Sequence, residues 1–298
     1  MFGQHVASLV GISADTGTSF PTDTVLKSMV LFMQIFIACM DKLLFYTIPS
    51  MKLVFDELYS PSDLTGKTRR YYARFGASTD VDEDFKNIYG ISYKLVFGSM
   101  DKETSLLILL QKYYQNEYYI KALVKKQFPS LAFTSELPVI DRRADLIGVS
   151  GHSDILTCYE IKTRYDSLAR LQHQIQTYAK CFSLNYVVCS EDKVQTVLDM
   201  VPDFVGVLGF KNRSNCTLKQ IRKAQKSPFL EKSMLAECLS KKSLKKFFDT
   251  EDRAMVVSDH SLGDLQRALK SALYAKHPSP KHQWQFPLYN GSCQSLYT

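Results

Sequence analysis

The stretch Arg143–Tyr178, RADLIGVSGHSDILTCYEIKTRYDSLARLQHQIQTY, constrains the fold more than any other part of the chain. Two apolar runs, Ala144–Val149 and Ile155–Ile161, flank the turn-forming cluster Ser150, Gly151, His152, Ser153, Asp154, which is the pattern of an antiparallel hairpin. With Ser150 and Ile155 closing a loop of about four residues, Asp145 falls opposite Glu160 with both side chains on one face. Lys162 joins that face because a strand alternates sides with a period of two. Leu146, Tyr159 and Ile161 then point the other way, into a core. A slip of one residue would put the two acids on opposite faces.

Two carboxylates side by side on neighbouring strands repel, and a protein keeps such a pair charged mainly when a cation sits between them. All-oxygen ligation suits Mg²⁺ or Mn²⁺. Asp145, Glu160 and the carbonyl of Ile161 are the expected ligands, with the Lys162 ammonium beside them to hold the attacking water or to offset charge on a phosphate. That is the equipment for metal-assisted phosphodiester hydrolysis.

The flanking pattern builds a frame for the hairpin. Ser105–Phe128 reads as helical, and Phe133–Ile140 as a strand in which Glu136 faces the site while Pro138 marks an edge or bulge. After the hairpin, Asp166 or Ser167 is the expected cap of a helix whose apolar stripe is Leu168, Leu171, Ile175, Tyr178 and Phe182. Its opposite face carries Arg170, Gln174 and Thr177. Leu184–Cys189 reads as a buried strand parallel to an earlier one, Asp192–Met200 as a helix ended by Pro202, and Val205–Phe210 as a further strand. The order α-β-β-β-α-β predicts an α/β fold with a mixed sheet, flanked by N- and C-terminal helical regions.

Asp145 followed by Glu160-x-Lys162 in the frame YEIK resembles the PD-(D/E)XK nuclease superfamily, with Ala144 where the eponymous proline would stand. More narrowly, RADLIGV, YEIKTRYDSLARLQHQIQTYAKCF and VPDFVGVLGF resemble a bacterial and phage-associated group of that superfamily, over roughly Glu117 to Phe248. The resemblance implies a restriction-endonuclease-like core, a Mg²⁺ or Mn²⁺ cofactor and a nucleic-acid partner, DNA being the expected substrate. It adds Glu117 as a helical acid that leans over the hairpin to bind a metal or its water. It also places Gln174 at the border of the site and Arg143 on the RxD position, paired with a carboxylate or reaching a phosphate.

Composition sets the outer bounds. The chain has 298 residues, 45% hydrophobic and 22% charged, an ordinary globular composition with length for one core and an appended region. A net charge of +7 and a pI of 8.9 are compatible with a polyanionic partner. Seven scattered cysteines without a CxxC pair, and six histidines without an HxH or HxxxH pair, argue against a disulfide framework or zinc and for a reducing cytoplasm.

Five segments are expected. Residues 1–50 form a poorly ordered leader with one apolar helix, in which Ser28–Met40 and the run to Ile48 read as a buried or docking helix. A membrane segment, or a biological start at Met40 or Met51, are the other readings. Residues 51–104 form a helical region, with Asp80–Asp84 as an acidic loop. Its Arg69, Arg70 and Arg74, interleaved with Tyr71, Tyr72 and Phe75, fit an amphipathic helix better than a base-stacking platform. The nuclease-like core is 105–212, followed by a basic helical region 213–276 and a tail 277–298. In the basic region, Lys219, Arg222, Lys241 and Lys242 belong to a cluster that either tracks a phosphate backbone or is a solvated helical face; Lys241 and Lys242, with Arg143 and Arg170, are the expected nucleic-acid contacts. The competing readings are a module that keeps the fold without catalysis to bind nucleic acid or a partner protein, and a membrane-associated accessory protein built around Ser28–Ile48.

Overall fold

The computed structural model describes residues 55, 58–211 and 217–276. The expected leader with its apolar run, part of the segment after Lys211, and the tail lie outside the described residues. Among the described residues no helix is long and apolar enough to cross a membrane.

The chain divides into two compact units, one ending at Ser99 and one beginning at Met100. The first contains α1 (Pro61–Phe75), α2 (Val81–Tyr89) and α3 (Tyr93–Phe97). Its core is aromatic: Phe85 stacks on Tyr89 with ring centroids 4.5 Å apart, and Tyr71 meets Phe85 edge-on at 5.4 Å. Tyr71 is buried while Arg69 and Arg70 are exposed, so the basic and aromatic residues occupy opposite faces of an amphipathic helix. Asp80–Asp84 is not a loop. Asp80 caps α2, its side chain accepting from Glu83 N at 3.1 Å, and the acids that follow sit where the helix dipole favours negative charge.

The second unit opens with α4 (Lys102–Tyr113) and α5 (Glu117–Gln127). Asp101 caps α4, which puts the start of this unit a few residues ahead of the expected boundary at 105. Six strands follow in the spatial order β1-β2-β3-β4-β5-β6: β1 (Leu131–Val139), β2 (Arg142–Ser150), β3 (Leu156–Lys162), β4 (Leu184–Ser190), β5 (Gly206–Phe210) and β6 (Leu218–Arg222). The first three are antiparallel, β3, β4 and β5 run parallel, and β6 returns antiparallel. The crossovers between the parallel strands carry α6 (Leu171–Ala179) and α7 (Val194–Met200). The expected α/β fold with a mixed sheet is therefore present, with the α-β-β-β-α-β order running from α5 to β4.

Two expectations about local structure are corrected. Neither Asp166 nor Ser167 caps α6, which starts at Leu171 with Arg170 at its N-cap. Asp166 is used earlier, accepting from Thr163 N at 2.8 Å and Thr163 Oγ1 at 2.7 Å, and Lys193 Nζ ties the same loop down through the Thr163 carbonyl. Leu218–Arg222, read as the beginning of a helical region, is strand β6. Pairing with β5 overrides its helical composition, because the open edge of β5 offers a ladder that a helix there would leave unpaired.

The basic C-terminal helices are part of the core. α8 (Lys232–Glu237), α9 (Lys241–Phe248), α10 (Arg253–Asp259) and α11 (Leu262–Lys276) bury Leu235, Leu244, Val256 and Leu269 together with Ile147, Val149, Leu156 and Cys158 of the hairpin and Tyr178 and Phe182 beyond it. An apolar stripe covers this face of the sheet while the lysines remain outside. Across the parallel half, α6 and α7 place Ile175 and Val197 over Val187 and Val207.

Gly206 marks the tightest approach. A Cβ there would run into the Tyr186 ring and come to 2.7 Å from Ala224 N. Gly206→Ala is expected to destabilise the protein by roughly 1–3 kcal/mol, read as a lowered denaturation midpoint with an unchanged slope.

Candidate active site

The ladder between β2 and β3 pairs Leu146 with Tyr159 and Val149 with Leu156. Continued by one step, that register sets Asp145 against Glu160, as the hairpin pattern predicts. The regular pairing stops there. The Asp145 carboxylate takes over, its Oδ2 accepting from Ile161 N at 2.7 Å. On the other side, the β1–β2 ladder keeps its register but skips the Glu136–Asp145 pair, between Ser135–Leu146 and Leu137–Ala144, where Glu136 adopts φ 57°. The three strands thus part their backbones around one carboxylate.

Behind this fork lies the apolar core; in front of it lies a cleft of about 570 Å³. It is lined by Asp145, Glu160, Ile161, Lys162, Glu117, Gln174, Arg143 and Arg170, together with Glu136, Pro138, Ile140, Asp141, Arg142 and Asp166. Nine of these, Glu136 among them, were expected from sequence. Lys241 and Lys242 are not among the lining residues; both sit exposed on α9, whose apolar face is committed to the core. Arg143 is exposed, 3.9 Å from Glu136, and its carbonyl accepts from the Tyr178 hydroxyl at 2.8 Å.

Two groups of charges share the cleft. In the first, Glu160 is only 1% exposed; its Oε1 accepts from Lys162 Nζ at 2.6 Å, and Lys162 also donates to Gln174 Oε1 at 3.0 Å. The other carboxylate oxygen, Oε2, is buried without a hydrogen-bond partner. Burial raises the Glu160 carboxyl above the usual range, with Lys162 opposing the shift. In the second group, Glu117, Glu136 and Asp145 each bring an oxygen to within 4.8 Å of the others. Glu117 opens α5, where Asn116 caps the helix. Lys121, one turn on, sits 2.5 Å from Glu117 and also contacts Glu136. Burial alone would push Lys121 down; the hydrogen bonds to the two glutamates outweigh it and hold it above its ordinary value.

Glu136 enters the site from β1, as its place on that strand led one to expect; Lys121 enlarges the charge cluster beyond what the hairpin motif offered. Lys121 was detectable only as the i,i+4 partner of Glu117.

These groups fit a hard divalent cation. Oxygens bound to one Mg²⁺ at about 2.1 Å lie no more than roughly 4.2 Å apart, so the triad needs only a small contraction. The orphaned Glu160 Oε2 faces the strongest demand, since a buried unsatisfied carboxylate oxygen is costly.

The chain belongs to the family described as bacteriophage P4 protein cII, which matches residues 111–277 and so takes in the whole cleft. Protein cII of Enterobacteria phage P4 is 34% identical over 105 residues. That segment is 35% of this chain and spans only 39% of the relative's length. A solved structure, the SPO1766 protein of unknown function from Silicibacter pomeroyi, aligns with 47% of this chain and 91% of its own at 15% identity and a TM-score of 0.30.

Electrostatics give a direct test of the site. Asp145 is pushed up to about 8, first by burial, then by Glu160 and Glu117, against the opposing Ile161 N–H and Lys162. Above about pH 4 the unfolded chain has released this proton while the folded protein keeps it, so this group makes stability fall as pH rises toward 8. Asp145→Asn, which mimics the protonated form, is expected to stabilise the metal-free protein at pH 8 by on the order of a few kcal/mol, and by little at pH 4. Urea denaturation in a chelating buffer across that range reads the difference.

Proposed function

We propose that the protein is a nuclease that hydrolyses phosphodiester bonds with the help of Mg²⁺ or Mn²⁺, acting on DNA in the cytoplasm, and that its motif resemblance to the PD-(D/E)XK superfamily reflects this chemistry. The observation that carries the reading is the pairing of Asp145 with Glu160 across β2 and β3, with Lys162 2.6 Å from Glu160 and one carboxylate oxygen left without a partner. Asp145, Glu160, the Ile161 carbonyl and Glu117 would hold the ion; Asp145 and Glu117 already converge with Glu136, while Glu160 lies outside that cluster and lines the same cleft. A bound divalent cation supplies polarisation of the phosphoryl oxygen and a more acidic water.

The chain's own residues do the remainder. Lys162 spends two of its three N–H donors on Glu160 and Gln174, which fixes its direction and leaves the third for the attacking water or a phosphoryl oxygen. As that water's oxygen bonds to phosphorus and the bond to the departing strand breaks, negative charge grows on the phosphoryl oxygens, and the ammonium offsets it. Gln174 positions Lys162 from α6. Arg143 and Arg170 line the cleft and can hold flanking phosphates.

Charge balance supports dependence on the ion for binding as well as for chemistry. Six acidic and four basic side chains line the cleft, so a phosphodiester meets net repulsion until cations enter. Purified protein is expected to retain DNA in Ca²⁺ but not in a chelator, and to cut it in Mg²⁺ or Mn²⁺. Lys162→Ala and Asp145→Asn should each lower cleavage by roughly 10²–10⁴-fold. Binding without cutting by the wild type would instead favour a non-catalytic module, and cutting that survives both substitutions would remove the case for this site.

A further inference from the structure

At the turn between β1 and β2, backbone and side chain are at odds. Only Ile140 and Asp141 connect the paired residues Val139 and Arg142, and Ile140 takes φ 56°. Two-residue hairpin turns fill a left-handed position with Gly, Asn or Asp, and a β-branched residue there is a steric outlier. Burial does not compensate it, because Ile140 is 56% exposed. Its surroundings are those of the cleft it lines, with Asp141, Arg142 and Arg143 following in the chain, Asp141 3.5 Å from Arg142, and Asp145, Glu160 and Lys162 lining the same cleft. Strained residues of this kind cluster where a ligand is engaged.

We propose that Ile140 is an apolar wedge that packs against the face of a nucleobase next to the phosphate held at Asp145 and Glu160, so that the cleft takes nucleic acid whose bases are locally unstacked. This rests on the nuclease reading for the nature of the ligand. Aliphatic side chains inserted at a base step unstack it, and Arg142 and Arg143, beyond Asp141, can grip the backbone on that side. A duplex has to be opened for the base to reach the rim; a single strand does not. Ile140 therefore sets the ability to act on duplex, while single strands reach the site without it.

Ile140→Asn keeps a side chain of similar length, tolerates the left-handed backbone and removes the wedge. In the full-length protein its thermal midpoint is expected to rise, its cleavage of duplex to fall roughly tenfold or more, and its cleavage of single strands to stay near the wild-type level. A binding arm uses the Lys162→Ala background in Ca²⁺ with a duplex carrying a fluorescent base analogue quenched by stacking. Emission should rise on binding and should not rise when Ile140→Asn is added. Equal loss on both substrates, no loss on either, a lowered midpoint, or no change in emission on binding would each overturn the proposal. The nuclease reading fails separately: if the wild type cuts neither substrate yet the emission difference persists, the wedge stands without the hydrolysis.

Discussion

Everything at the cleft follows from one unfavourable contact, the placing of the Asp145 and Glu160 carboxylates side by side in a largely buried position. Like charges in such surroundings either take up a proton or are matched by positive charge. The protein does both. Asp145 is held high enough to keep its proton near neutrality, while Glu160 is matched by Lys162. A little further out, Glu117 and Glu136 are matched by Lys121. Glu160 Oε2 nonetheless remains without a hydrogen-bond partner, the kind of buried carboxylate oxygen that a divalent cation would satisfy.

The surrounding architecture explains how this contact is tolerated. On the face that carries the acids, Ile147, Val149, Leu156 and Cys158 are sealed by the C-terminal helices, so the turn end of the hairpin is firmly packed while the opposite end opens into the cleft. On the other face, Tyr159 stacks on Tyr186 with centroids 5.6 Å apart. A hairpin gripped on both faces can hold its register against the repulsion. The parallel crossover then delivers α6 with Gln174 within hydrogen-bonding distance of Lys162. The match to the P4 cII family, over residues 111–277, spans all of these elements.

Much of the fold was legible because its signals are local. The alternation in Ala144–Val149 and Ile155–Ile161 sets strand faces, the five turn-forming residues between them set the loop length, and together they fix the Asp145–Glu160 register. Where the reading failed, a distant partner had intervened. Leu218–Arg222 became a strand because β5 offered it an edge. Asp166 was drawn away from capping α6 by Thr163, three residues earlier, in a loop that the distant Lys193 ties down. The lysine-rich helices looked like an appended region, since their apolar residues meet Ile147 and Val149 only across long stretches of sequence.

The sequence by itself determined the hairpin, the pairing of its acids and the position of Lys162 beside them, because each depends on spacing within about twenty residues and on a period of two. Only the tertiary structure decided that Lys121 bridges Glu117 and Glu136 beside the cleft and that Lys241 and Lys242 stay outside it. Those outcomes depend on β1 bringing Glu136 beside α5 and on which face of α9 the core demands, and both are set by packing between elements apart in the chain.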